Sequence, residues 1–380
     1  MGPGRQPIIL VDLLRFACAA AVVAHHYLTC FQVAPSRAAS AMLAGAPLIG
    51  DRWTWSARLG WLGVEIFFVI SGMVIAQSLR EPGAWRFLRR RLLRLVPAAW
   101  VCATITAAAM AIAGLSDAGL AARWISSLAF WPFGEQVDTS YWTLGVELSF
   151  YLVVAAFATR GPEMLDRLAM WLTAWSGAFW IATACAGPEA SQAAVVGLSR
   201  LALLPHGCLF ALGIVIARSQ EDGITAARLG TGAGALAICL IELWAHEAER
   251  AATFAMTSTP WMAGSLFLAG MMLLAVGGRV QAPLARWMKP QTARKIGLTT
   301  YPLYLVHQEA GAVLAGGLVR SGFSTLSALA LAGAAMLMTA WIIADRIEPV
   351  IRARLGRALD LFSNRGPAPY TLRTASPPGG

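Results

Sequence analysis

Ten apolar stretches, most of them close to the length a helix needs to cross a bilayer, alternate with short segments rich in arginine. A span takes about 20 residues at 1.5 Å rise per residue. The stretches fall at 8–30, 60–79, 93–114, 140–158, 168–186, 199–217, 229–245, 259–277, 296–315 and 325–344. With 57% of the residues apolar and 13% charged, the chain has about half the charged share of a soluble domain, roughly 25%. That balance excludes soluble multidomain, disordered, collagen-like and disulfide-scaffold architectures. The expected fold class is all-α: a polytopic membrane protein of about ten transmembrane helices. The segment 120–133, with Trp124, Phe130, Trp131 and Phe133, is too short to span and reads as an interfacial aromatic belt. The first stretch is too long for a signal peptide's apolar region and contains Asp12, Arg15, His25 and His26. It reads as retained.

Where the basic residues lie sets the orientation. With the N-terminus in the cytoplasm, segments 1–7, 80–94, 159–167, 218–228, 278–295 and 345–380 carry 22 Lys and Arg, and the outer segments carry seven. The positive-inside rule then places both termini in the cytoplasm. The net charge of +10 is therefore a mark of membrane orientation, and nucleic acid is not an expected partner. Six cysteines lie mostly inside apolar runs with no metal-ligand spacing, so neither a metal site nor a disulfide framework is expected. Residues 1–360 read as one transmembrane domain. Residues 361–380, ending GPAPYTLRTASPPGG, read as a disordered cytoplasmic tail.

Function in such a chain is sought at ionisable groups inside the spans, each of which costs about 2.5–3.5 kcal/mol to insert. In the first span, Arg15 and His26 are 11 residues apart. At 100° per residue they return to one face, about 16 Å apart along the axis, with His25 turned roughly 80° from Arg15. A lone histidine there would only hydrogen-bond a neighbouring helix; an aligned Arg and His argue for more. The second span contains Glu65 and Ser71. A buried carboxylate needs a partner, and His26 or an arginine is the natural one, whereas Ser71-Gly72 also suits a small-residue helix contact. The loop 80–94 carries Arg86, Arg89, Arg90, Arg91 and Arg94. These anchor lipid headgroups or, at the i, i+3 pair Arg91 and Arg94, clamp a phosphorylated ligand. In the fourth span, Thr143, Glu147 and Tyr151 recur at i, i+4, i+8 as a polar stripe. In the ninth, Tyr301, Tyr304 and Gln308 share a face beside His307, as a cavity lining or an interfacial belt. His206 and Glu309 are left open, and His246 reads as an outer-loop residue.

Four stretches together resemble the acyltransferase-3 family of integral-membrane O-acyltransferases. They are the Arg-x10-His pattern (Arg15, His26), FFVISG at 67–72 preceded by Glu65, the Arg-x-x-Arg…Pro element (Arg91, Arg94, Pro97), and Trp-x-Leu-x-x-Glu-x-x-Phe-Tyr (Trp142, Leu144, Glu147, Phe150, Tyr151). The late Tyr-Pro-Leu-Tyr-Leu-x-His is also similar, and the matches run in order over most of the chain. The resemblance implies transfer of an acyl group, with acetyl the expected one, from cytoplasmic acyl-CoA to a hydroxyl of a carbohydrate, lipid-linked glycan or small natural product. It implies activity at the Arg-x10-His and Arg-x-x-Arg elements, and a multi-pass protein of a bacterial inner membrane. Acyl-CoA is then the donor substrate, and no permanently bound cofactor is expected.

Acyl transfer needs a base, a charge stabiliser and a grip on the donor. His26, with an ordinary pKa near 6.5, suits the base, and Glu147 or Glu65 would orient it. Arg15 would stabilise the oxyanion or a donor phosphate. Arg91 and Arg94 would hold the nucleotide, with Ser71, Tyr301, Tyr304 and His307 lining the donor's path; an acyl-enzyme on Ser71 has no Ser–His spacing behind it. The competing class is a proton-coupled transporter or flippase that uses Arg15, His26, Glu65 and Glu147 as a relay, although no inverted repeat is visible. A sensor or scaffold without chemistry is a third.

Overall fold

The computed structural model describes residues 9–78, 83–157, 163–186 and 197–363, which are helical nearly throughout and contain no strand. In chain order the longer helices are α1 (Ile9–His25), α2 (Leu62–Ser78), α3 (Ala84–Ile112), α4 (Leu120–Leu128), α5 (Trp142–Phe157), α6 (Glu163–Ala186), α7 (Gly207–Asp222), α8 (Ala226–Thr253), α9 (Pro260–Trp287), α10 (Pro290–Val306), α11 (Glu309–Arg320), α12 (Thr325–Ile342) and α13 (Glu348–Ser363). Local chemistry sets several of their ends. Thr225 and Ser324 hold extended backbone before α8 and α12 and accept from the amides of Arg228 and Ser327, as N-caps do. Pro260 and Pro290 occupy first-turn positions where a missing N–H costs nothing.

Among the described residues, eight helical stretches are long and apolar enough to cross a membrane. They coincide with eight of the ten stretches read from the sequence. The other two are helical but altered. The expected span 199–217 begins irregularly, and α7 has only 16 residues. It is buried from Gly207 through Val215, so protein rather than lipid surrounds it, and it needs no full bilayer length. The expected span 296–315 is broken at His307 and Gln308 into α10 and α11. A break at that depth is tolerated where protein supplies the backbone's partners. The Tyr27 hydroxyl donates to the His307 carbonyl at 2.8 Å, and the Glu309 amide donates to Asp138 at 3.1 Å. α12 continues through a π-helical turn into α13, which reaches Ser363. Residues 364–380, most of the expected tail, lie outside the described residues. The short α4 occupies the expected interfacial segment.

Two large apolar cores form, with a third, smaller one round Tyr27 and Phe31. One of the large cores gathers α2, α5, α6, α7, α8 and α9, and the other gathers α1, α3, α10 and α12. α2 and α7 approach at backbone distance: a Cβ on Gly213 would collide with the Val69 carbonyl, and one on Gly72 with the Phe210 carbonyl. Val64, Phe67 and Tyr301 pack against both large cores. These three side chains also line the main cavity, which therefore opens along the seam between the cores. Large apolar side chains such as Trp171, Ile181, Trp244 and Met272 are exposed on the outside of the bundle, where a bilayer would cover them.

Candidate functional site

Seven of the ten site residues expected from sequence line one cavity: Arg15, Ser71, Arg91, Arg94, Glu147, Tyr301 and Tyr304. It holds about 1040 Å³ of space, counting its open mouth. The helical period explains the convergence. Thr143, Glu147 and Tyr151 form one stripe of α5, and all three face the cavity. Ser71 donates to Glu147 Oε1 at 2.9 Å, and the Tyr151 hydroxyl donates to the same oxygen. That carboxylate is thus held by two O–H donors from two helices.

The arginines are positioned by aromatic faces and by each other's counter-ions. Arg91 donates to Ser78 Oγ, with its guanidinium carbon 5.4 Å from the Phe87 ring centre and 5.7 Å from that of Tyr151. Arg94 pairs with Glu348 at 2.9 Å and lies 5.7 Å over Tyr301. Arg352 also bonds Glu348, so α13 closes this end of the bundle. Arg15 Nε is buried without a hydrogen-bond partner among the described residues. Three guanidinium groups thus face the cavity against the single Glu147 carboxylate. Arg94 is offset by Glu348, and the forked guanidiniums of the other two have the geometry to hold a phosphate.

His26 is not in the cavity wall. α1 loosens into a π-helical turn at His26–Cys30, and there His26 Nδ1 meets His307 Nε2 at 2.6 Å. The partner's other nitrogen settles which atom carries the proton. His307 Nδ1 lies 2.9 Å from the Tyr304 carbonyl and 3.2 Å from that of Leu303. Carbonyls only accept, so His307 Nδ1 carries hydrogen and its Nε2 is the acceptor. His26 must then donate from Nδ1, which leaves Nε2 of His26 a bare acceptor with no hydrogen-bond partner among the described residues. His25 is a separate matter: its Nδ1 bonds the Ala57 carbonyl at 3.1 Å.

Neither carboxylate expected to orient His26 does so. Glu147 is engaged in the cavity, and Glu65 is 3.4 Å from His246. His246, read from sequence as an outer-loop residue, stands on α8, which runs through the charged segment HEAER beyond the expected boundary. The sequence reading also passed over Asp138, which is fully buried and accepts from Ser140 and from the Glu309 amide. An acidic residue just before a polar-striped helix is its only sequence signal.

A second cleft of about 790 Å³ opens at the N-terminal end of α5, beside Glu135, Gln136, Thr139, Trp142, Val146 and Arg200. Arg200 sits 4.5 Å over the Trp142 ring. Thr139 donates to Gln308, the neighbour of His307, at 3.2 Å, and Tyr304, three residues before His307, lines the first cavity. The Tyr304 ring lies 6.0 Å from that of His307, so one lining residue of each space reaches His307 or its neighbour Gln308.

The family model described as an acyltransferase domain, Acyl_transf_3, matches residues 8–345. Nodulation protein 10 of Rhizobium leguminosarum bv. viciae is 31% identical over 179 residues, covering 41% of this chain. The aligned part spans 46% of that protein, about half its length. No solved structure matches significantly.

Proposed function

The chain belongs to the acyltransferase-3 family of membrane acyltransferases, and from that premise we propose that it moves an acyl group, acetyl first, from cytoplasmic acyl-CoA to a hydroxyl of a carbohydrate or glycolipid presented at the opposite face of a bacterial inner membrane. Residues 1–360 form the transferase domain in this reading, with both termini in the cytoplasm. The observation that carries it is the His26–His307 pair, with a bare nitrogen on His26, packed beside Tyr304 of an arginine-lined cavity.

Arg91, Arg94 and Arg15 hold the donor's phosphates, and the acyl-pantetheine arm reaches past Tyr304 toward the histidine pair. The acceptor enters the second cleft, where Glu135, Gln136, Thr139 and Arg200 offer polar contacts to its hydroxyls. His26 Nε2 takes the hydroxyl proton as the oxygen attacks the thioester carbonyl. The C–S bond then breaks, the acyl ester forms, and the thiolate recovers the proton. His307 keeps His26 in the tautomer that leaves Nε2 bare, the service a carboxylate performs in a serine-hydrolase triad. Arg15 is roughly 16 Å from His26 along the helix, further than its side chain reaches, so it grips the donor and does not touch the oxyanion.

The transporter alternative strings Arg15, His26, Glu65 and Glu147 into one relay. The structure distributes them among three places: the cavity, the histidine pair and the Glu65–His246 contact. Labelled acetyl-CoA supplied to purified protein with a panel of glycans tests the reading. Transfer by the wild type and none by His26→Ala, with donor binding retained, supports it; full turnover by His26→Ala overturns it.

A further inference from the structure

Behind the walls of the two cavities, α2, α7 and α8 enclose a cluster of oxygen, nitrogen and sulfur donors that lines neither space and that the acyl-transfer reading leaves unused. Glu65, Glu242 and His246 each present one ligand atom, and the three atoms lie within 4.8 Å of one another. We propose that these three side chains bind a divalent transition ion of the zinc class, which ties α2 to α8 inside the bundle. The proposal stands independently of the acyl-transfer reading.

Geometry is the first argument. Glu65 Oε1 and His246 Nδ1 are 3.4 Å apart, the edge of a tetrahedron whose centre lies about 2.1 Å from each corner, the usual Zn–N and Zn–O distance. Glu242 and His246 are spaced i, i+4 on one face of α8, so a single helix presents two ligands and α2 brings the third. The remaining separation, at most 4.8 Å, closes with small side-chain rotations.

Charge is the second. Glu65 is 4% and Glu242 0% exposed, and among the described residues no Lys or Arg pairs with either. The nearest guanidiniums, Arg250 and Arg200, are held over the rings of Trp61 and Trp142 at 5.1 and 4.5 Å. Two carboxylates in an apolar interior require neutralisation, and one dication between them supplies it. Glu65 Oε2, the other oxygen of the same carboxylate, is buried with no hydrogen-bond partner among the described residues, so the protein leaves this carboxylate's charge unmet on that side.

The surroundings behave as an outer shell. His206 Nδ1 bonds Glu242 Oε1 at 2.6 Å and Cys208 Sγ bonds Oε2 at 3.1 Å, which fixes the carboxylate's orientation in the way partners of metal ligands do. Trp61 and Trp180 pack edge-on to His246, with ring centres at 6.2 and 5.9 Å. They dry the site and hold the imidazole in place. The i, i+4 pair of Glu242 and His246 is local, but the third ligand, Glu65, lies about 180 residues away on another helix, and two ligands alone do not mark a site in sequence.

The test uses full-length protein in detergent, stripped with a chelator, loaded with Zn²⁺ and gel-filtered. About one equivalent per chain is retained, and bound zinc raises the unfolding temperature. His246→Ala and Glu242→Gln drop to background, and His206→Gln weakens affinity by about 10- to 100-fold. X-ray absorption of the loaded wild type, which needs no variant to fold, shows a nitrogen and oxygen shell at about 2.0–2.1 Å. Retention at the buffer blank, a sulfur-dominated shell, or a full equivalent in both ligand variants overturns the proposal.

Discussion

The imidazoles of His26 and His307, 281 positions apart in the chain, stack with ring centres 4.9 Å apart and planes 13° from parallel, joined through a 2.6 Å contact. Because two backbone carbonyls fix the hydrogen on His307 Nδ1, the pair has one neutral proton arrangement, and it exposes a bare nitrogen on His26. His307→Ala removes the acceptor that enforces this and is expected to lower kcat by roughly 10²-fold, with the donor KM nearly unchanged. His307→Gln, whose amide oxygen also accepts from Nδ1–H, recovers part of the loss. Loss of folded protein with unchanged kcat per folded molecule would return His307 to a packing role.

Arg91 and Arg94 are held differently, and their variants should differ. Arg94 is already paired with buried Glu348, whereas among the described residues Arg91 meets Ser78 and two aromatic faces and no carboxylate, and it is the freer to take a phosphate. Arg91→Ala is expected to raise the apparent KM for acyl-CoA by about 10- to 100-fold, the worth of a charge-assisted hydrogen bond of roughly 1.5–3 kcal/mol. Arg91→Lys restores only part, since an ammonium has no fork. An unchanged KM in steady-state kinetics would make Arg91 a headgroup anchor.

Asp117, between α3 and α4, provides a pH-dependent contact outside the spans. Its carboxylate accepts from Arg123 at 2.7 Å, from Arg37 at 3.1 Å and from the Gly119 amide, and the Arg123 guanidinium first among these holds its pKa below the ordinary value. A lowered folded pKa means that the contact stabilises the loop fully above the unfolded value, about 3.9, and is lost as pH falls through the lower folded one. Hydrogen exchange over residues 113–119 should show protection at neutral pH that fades in acid. Asp117→Asn should lack the pH-dependent part throughout. Equal protection of the wild type on both sides of that window would contradict the assignment.

How much of this was legible in the sequence follows from what local patterns encode. The stripe Thr143, Glu147, Tyr151 has helical period, and all three residues reach the cavity together with Arg15, Arg91 and Arg94. Arg15 and the stripe stand out by polarity in apolar runs, and Arg91 and Arg94 by their i, i+3 spacing in a basic loop. The pairing of His26 with His307 was not legible, because which helices touch is decided by packing between distant segments. The break after Val306 was hidden for the same reason, since its backbone partners, Tyr27 and Asp138, come from elsewhere in the chain. His246 was misplaced because apolar periodicity fades before α8 ends; its last turns are held by buried Glu247 bonding Thr259, a contact that hydropathy does not show.

The close approach of α2 and α7 can be tested by adding one carbon. At Gly213 a Cβ meets the Val69 carbonyl and the Met73 amide, both helix backbone, so neither can rotate away as a side chain would. Gly213→Ala therefore forces the helices apart and is expected to destabilise by about 1–3 kcal/mol or more. At Gly230 on α8 a Cβ would meet nothing within 4 Å. There the same substitution only removes the helix penalty of glycine, so Gly230→Ala should be neutral or gain up to about 1 kcal/mol. Thermal unfolding of the two variants in one detergent compares them directly. Because α2 carries Ser71 and Phe67 into the cavity, a shift in α2 should also weaken donor binding in Gly213→Ala and leave it intact in Gly230→Ala. Equal unfolding temperatures for the two variants would mean that α2 and α7 are not in backbone contact.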